Sequence, residues 1–248
     1  KMLDGKTVLL TGTNGGIGIS ITETLLKNRA KLLLFYNNDR LKIDELIEKN
    51  PNYSSQIEVI QVDLINSESL ERAISKIKFF DIDILIHAPS LPIEHKSIQD
   101  MGWTDFQKHI DLQSKSFFQL TKSILPIMKS KKVGKIISIL TTYVVGSPPS
   151  KISDYIVGKY SLLGLTKCFA VELAPFGITV NSISPSMTDT PLIEDLPLKL
   201  KQITANQNPM KRLCEPHDVA SAVLFFCSKH SNFITGENLI VSGGHTMH

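Results

Sequence analysis

Seven short apolar runs alternate with helical stretches along the whole 248-residue chain, and that alternation leaves few folds open. The runs lie at residues 8–10, 32–35, 59–62, 82–86, 135–140, 179–183 and 238–241. Amphipathic segments fill the intervals, around 17–28, 40–49, 67–78, 104–129, 155–174 and 216–228. Parallel strands need crossovers of this length, and such crossovers are right-handed. The expected fold class is α/β: a single-domain, doubly wound parallel sheet of about seven strands flanked by helices, spanning residues 1–248. Ligands in that architecture bind beyond the carboxyl ends of the strands. The longest irregular stretch, 185–209, is rich in Pro, Ser, Thr and Asn around one short helix expected at 196–203. A loop of that length in a compact domain reads as a substrate lid, over 186–209.

The first apolar run ends in Thr11-Gly12-Thr13-Asn14-Gly15-Gly16-Ile17-Gly18. Ile17, Ile21, Leu25 and Leu26 continue at helical spacing, so the glycines sit at a strand-to-helix turn, a Rossmann-like arrangement. Gly12 and Gly16 permit the tight turn and close backbone approach, and Gly18 lets helix and strand pack closely. A pyrophosphate there meets free backbone N–H groups and the positive end of the helix dipole.

Composition narrows the class. Hydrophobic residues at 42%, charged residues at 21% and a net charge of +3 describe an ordinary soluble domain and give no reason to expect a nucleic-acid partner. Cys168, Cys214 and Cys227 are widely spaced with no CxxC pair, so neither a disulfide framework nor a metal site is expected, and a reducing cytoplasm fits best. The sequence shows neither an apolar stretch of membrane-spanning length nor a leader-like start. Lys129, Lys131, Lys132 and Lys135 form a basic run, either a solvated loop or a dock for an acidic carrier.

Tyr155 and Lys159 stand four apart at the start of a helical stretch, so they share one face about a turn from each other. An ammonium near a phenol favours the phenolate, making the tyrosine a usable proton donor and acceptor. In a lysine-rich chain such a pair also arises by chance, and its position decides: it follows the fifth strand, where a ligand cleft would open.

The glycine turn, Asp63-Leu64 after the third strand, the Tyr155/Lys159 pair, Asn181-Ser182-Ile183-Ser184-Pro185, and Pro209 to Pro216 resemble, in this order, the short-chain dehydrogenase/reductase family. Gly236 and Ser242-Gly243-Gly244 extend the resemblance to the end of the chain. It implies an enzyme, an NAD(P)(H)-dependent oxidoreductase moving hydride between a nicotinamide and a ketone or secondary alcohol, with 3-oxoacyl-carrier-protein reductases among the similar members. Tyr155 would be general acid/base, Lys159 its partner and a ribose ligand, Thr141 the hydroxyl that orients the substrate oxygen, and Gln113 the amide of a proton relay. Thr142 and Ser138 are alternatives to Thr141. The implied cofactor-binding residues are Gly12, Asn14, Gly16, Ile17 and Gly18 at the turn, and Tyr36, Asn37 and Arg40 after the second strand. Asp63 and Leu64 would lie at the adenine, His87 and Ala88 at a ribose, Tyr155 and Lys159 at the nicotinamide ribose, and Pro185, Thr188 and Thr190 at the nicotinamide.

The chain also departs from that pattern. His87-Ala88-Pro89 stands where the family has Asn-Ala-Gly, Gln113 where it has Asn, and Pro185-Ser186 where it has Pro-Gly. His87 is either a packed structural imidazole or a catalytic one. These changes admit a second reading, a weakly active or inactive nucleotide-binding regulator or scaffold, although binding alone needs no polarised phenol. The second strand ends in Tyr36 and not in the carboxylate that favours NAD, and Arg40 is near enough in sequence to pair with a 2′-phosphate; NADP(H) is therefore expected over NAD(H). Met187, Leu192, Leu196 and Leu198 fit a lid over an apolar group, or plain core. The expected partners are a small carbonyl or alcohol substrate, free or carrier-bound, and further copies of the chain in a homodimer or homotetramer, with Phe117, Phe118, Leu120 and Ile124 either interface or core.

Overall fold

A computed structural model describes residues 1–247. Seven strands form one parallel sheet in the order β3-β2-β1-β4-β5-β6-β7. They are β1 (Thr7–Thr11), β2 (Lys31–Tyr36), β3 (Ile57–Gln61), β4 (Ile84–His87), β5 (Gly134–Ile139), β6 (Ile178–Pro185) and β7 (Asn238–Val241). The helices are α1 (Gly16–Lys27), α2 (Leu41–Lys49), α3 (Ser67–Ile77), α4 (Trp103–Ile110), α5 (Ser116–Lys131), α6 (Ser153–Leu173), α7 (Leu198–Gln207) and α8 (Pro216–Cys227). Alternation along β1 shows how one strand serves two cores. Leu9 faces one core with Leu70 of α3, Phe117 of α5 and Leu162 of α6. Val8 and Leu10 face the other with Leu25 of α1 and Val219 of α8. Burial on both sides favours apolar residues in mid-strand, and polar exceptions such as Ser138, Asn181 and Ser182 are buried with hydrogen-bond partners.

Strand order reverses between β1 and β4, whose registers pair Thr11 with His87. A crevice opens beyond the carboxyl ends at that switch. Two elements differ from the expectation. The single helix read over 104–129 is two helices, α4 and α5, joined through a π-helical turn, Asp111–Lys115. The lid helix begins at Leu198 and runs to Gln207. Pro197 at its N-cap keeps Leu196 out of the helical region. Of the apolar face read on α5, Phe117, Leu120 and Ile124 are core, while Phe118 is 45% exposed.

Candidate active site

The crevice is a cleft of about 360 Å³, and its first wall is the glycine turn, Gly12 to Gly18. Gly12 adopts φ +74°, and a Cβ there would lie 2.2 Å from the Ala88 carbonyl oxygen. Only glycine allows the loops after β1 and β4 to meet so closely. At α1, Gly15 is the N-cap without a side-chain cap, so first-turn N–H groups stay available to an anion. Asn14 Oδ1 is buried beside them without a hydrogen-bond partner. Free N–H groups, an unpaired acceptor and a backbone cradle closed to any Cβ fit the pyrophosphate and ribose of a dinucleotide.

The other walls hold Tyr36 and Asn37 after β2, Asp63 and Leu64 after β3, Ala88 and Pro89 after β4, and Thr190 after β6. Asp63 Oδ1 accepts from the Ile65 N–H at 2.9 Å and so fixes the turn into α3. Thr190 packs onto Gly16, whereas the Thr188 hydroxyl donates back to the Ser186 carbonyl and its backbone bridges Cys214. Pro185 ends β6 opposite Val241, outside the cleft wall. Arg40 also stands outside it, with Nε donating to Asp44 Oδ1 at 2.7 Å.

His87 turns inward rather than to the cleft. Its ring is fully buried against Phe117, the Thr11 hydroxyl lies 3.0 Å from Nδ1, and the Leu112 carbonyl lies 3.3 Å from Nε2. Burial first, then the nearby Lys159, pushes its pKa down to about 3. The imidazole is therefore neutral and structural, tying β1 and β4 to the π-turn, and neither a ribose ligand nor a pH sensor near neutrality.

Tyr155 and Lys159, both buried on the first two turns of α6, do not themselves line the cleft, nor do Thr141 and Gln113; Lys159 connects to its wall at Pro89 through Gln113. Lys159 Nζ lies 5.8 Å from the Tyr155 ring centroid, donates to the Ile139 carbonyl at 2.8 Å, and donates to Gln113 Oε1 at 3.2 Å. Gln113, in the π-turn, spends its other end on the Pro89 carbonyl, with Nε2 donating at 2.9 Å. The two departures at 89 and 113 thus form one bridge from the ammonium to the cleft wall. Thr141, two residues past the end of β5, accepts from the Tyr143 N–H at 3.4 Å and is the hydroxyl that bears on the Tyr155 phenol. Ser138 faces away, 2.9 Å from Thr166 on α6. Electrostatics overturn one expectation. Burial pushes Tyr155 up to about 12, against the Thr141 hydrogen bond, and burial pushes Lys159 down to about 7. Burial, and not the neighbouring ammonium, sets the Tyr155 ionisation, so the phenol is a protonated donor at neutral pH.

Sequence reasoning did not find His109 and Asp154, a buried contact on the outer side of Tyr155. The signals were there: Asp154 adjoins Tyr155, and His109 precedes Gln113 by one helical turn. Among the described residues no cluster of His, Cys, Asp and Glu is arranged to hold a metal, and no helix is long and apolar enough to cross a membrane.

A family model described as enoyl-(acyl carrier protein) reductase matches residues 12–246. The 3-oxoacyl-(acyl-carrier-protein) reductase of Rickettsia typhi is 34% identical over 245 residues, covering 98% of each chain. The oxidoreductase UcpA of Escherichia coli is 32% identical over 257 residues, covering 99% of this chain and 96% of its own. A solved structure of a short chain dehydrogenase/reductase family protein superposes with a TM-score of 0.86 at 27% identity, covering 98% of both chains. The chain belongs to the short-chain dehydrogenase/reductase family. It is an oxidoreductase of the CH–OH/C=O kind, and nicotinamide-dependent hydride transfer is general to that family.

Proposed function

We propose that this chain reduces a ketone, or oxidises the matching secondary alcohol, with NADP(H) in preference to NAD(H) and with Tyr155 as general acid/base. The observation that carries the reading is the convergence of Tyr155, Thr141, Lys159 and Gln113 behind a cleft fitted to a dinucleotide. The turn from Gly12 to Gly18 would hold the pyrophosphate of a dinucleotide, and a nicotinamide so held would supply or accept the hydride. Tyr155 then gives its phenolic proton to the substrate oxygen as the C–H bond forms, and takes it back in the reverse direction. Thr141 hydrogen bonds that oxygen, and Lys159, held by Ile139 and Gln113, offsets the charge left on the phenolate. The preference for NADP(H) rests on the absence of a carboxylate at Tyr36 and Asn37 in the cleft wall, with Arg40 in reach once it leaves Asp44.

The lid over 186–209 supports a substrate with an apolar portion, since Leu192 lines the cleft and Leu198, Leu200 and Ile203 stand exposed on α7. An acyl chain on a carrier meets that description, as do smaller ketones. We place the enzyme in the cytoplasm on its three free cysteines, and as a homodimer or homotetramer on the exposed Phe118 and Tyr160 of α5 and α6. Tyr155→Phe tests the centre of the reading: turnover of a ketone panel should fall by about 10²–10⁴-fold while NADPH binding, followed by its fluorescence, persists. Turnover within a few-fold of the wild type would overturn it. A wild type that binds NADPH tightly and reduces no ketone would establish the regulator instead.

A further inference from the structure

The first turn of α6 carries a second polar pair that the reaction outlined above does not use. His109, in the last turn of α4, lies with Nε2 3.5 Å from Asp154 Oδ2, and both side chains are nearly inaccessible at 6% and 7% exposure. The His109 ring meets the Tyr155 ring edge-on, with centroids 6.0 Å apart and planes at 86°. Helix packing holds it there. A Cβ on Gly158 would come 2.9 Å from His109 Cβ, so α4 and α6 touch at this point with no room for rotation. His109 Nδ1 and Asp154 Oδ1 have no hydrogen-bond partner. An aliphatic pair would join the two helices without leaving two buried polar atoms unpaired, so packing alone does not account for these residues.

We propose that His109 and Asp154 are positioning residues for Tyr155: they fix the first turn of α6 against α4 and couple the setting of the phenol to the protonation of His109. The proposal rests on Tyr155 being the acid/base. Asp154 sits at the positive end of the α6 dipole, where a carboxylate is favoured, with His109 Nε2 3.5 Å from its Oδ2. The charged groups facing His109 are Asp154 and Lys159 from α6, Asp105 from its own helix and Glu94 from the loop after β4; the neighbours bearing on the Tyr155 phenol are Thr141 and Tyr143. Burial leads and holds the His109 ionisation below 6.5, with Lys159 acting in the same sense and the three carboxylates opposing. At neutral pH the contact is a neutral imidazole on a carboxylate. In mild acid it becomes an ion pair, drawing Asp154 and the adjoining tyrosine toward α4 and adding a cation on the side of the ring opposite the substrate.

The test uses the full chain, with NADPH and a ketone that it turns over. His109→Ala should lower kcat about tenfold and leave the KM of ketone and NADPH within twofold. His109→Gln, which keeps an amide donor of similar reach but cannot ionise, should recover most of kcat near pH 7.5. Its profile should lack the wild-type inflection below pH 6.5. Without any turnover, the [ζ-¹³C]tyrosine signal of Tyr155, assigned through Tyr155→Phe, should shift with a midpoint below 6.5 in the wild type and not in His109→Gln. Should His109→Ala fail to fold, His109→Gln and Asp154→Asn carry the comparison through that signal. Full kcat in His109→Ala with only a lower melting temperature, or a Tyr155 signal blind to His109, would overturn the proposal. Because the signal needs no catalysis, this failure is distinct from an active Tyr155→Phe, which would remove the acid/base assignment itself.

Discussion

A lysine with its ammonium inside the protein is the most costly side chain of the site, and that cost is measurable through pH. The pKa of Lys159 is about 7 in the fold against an ordinary 10.5. Between those values the unfolded chain binds more protons than the folded one, so stability rises with pH across the window and falls as pH drops toward 7. Relative to Lys159→Met, the wild type should therefore gain stability from pH 7 to 10.5, with a slope approaching about 1.4 kcal/mol per pH unit. Urea titrations of both proteins at several pH values check this; parallel curves would mean an ammonium well solvated in the fold. Turnover by Lys159→Met should drop by about 10²–10⁴-fold. That Lys159 and Tyr155 share one helix face was legible from their spacing. The charge state was not, since it depends on how deeply the ammonium is buried, and that is set by elements far along the chain. For the same reason the direction of the His87 ring could not be read: Leu112 and Phe117, which hold it, belong to another element.

At the scale of elements, the strands and most helices were legible from periodicity, and the exception lies at the reacting centre. The apolar pattern continues unbroken through 104–129, and one extra residue in one turn leaves no mark in a pattern of that kind. Yet the π-turn, Asp111–Lys115, is what turns Gln113 into the interior, where it reaches Lys159 and Pro89 together. A π-turn of this kind marks functional sites in helices generally. Gln113→Asn shortens the side chain by one methylene, and an amide that must span both partners then loses one of them. The expected result is a fall in kcat of about tenfold, with a stability loss of about 0.5–1.5 kcal/mol for one hydrogen bond. Steady-state kinetics at saturating ketone, beside denaturant melts, measure both. A larger loss of stability than of turnover would make the amide a strut for the turn and not a link to the ammonium.

The whole molecule places its chemistry at one end of the sheet. The basic run lies at the other end: Lys131 pairs with Asp81 and Asp83, Lys135 is buried against Ser231, and all precede or open β5. Six residues of β5 separate that run from Thr141, about 20 Å of extended chain, so within one chain a carrier docked there would not face the cleft. The cleft itself joins both halves of the fold, with residues at the ends of β2 and β3 on one side of the switch and residues after β4 and β6 on the other. A dinucleotide bound across it stabilises the molecule as a unit. At a hundredfold excess over Kd the gain is about 2.7 kcal/mol, which for a chain of this size raises the melting temperature by about 5–10 °C. NADPH should produce this shift at lower concentration than NADH, and Asp44→Ala, which frees Arg40 from its 2.7 Å pair, should widen the difference. In Gly12→Ala the shift should vanish with both cofactors, because the added methyl meets the Ala88 carbonyl and forces the two loops apart. Equal shifts for NADPH and NADH, unchanged in Asp44→Ala, would remove the case for a 2′-phosphate at Arg40 and leave the cleft open to either dinucleotide.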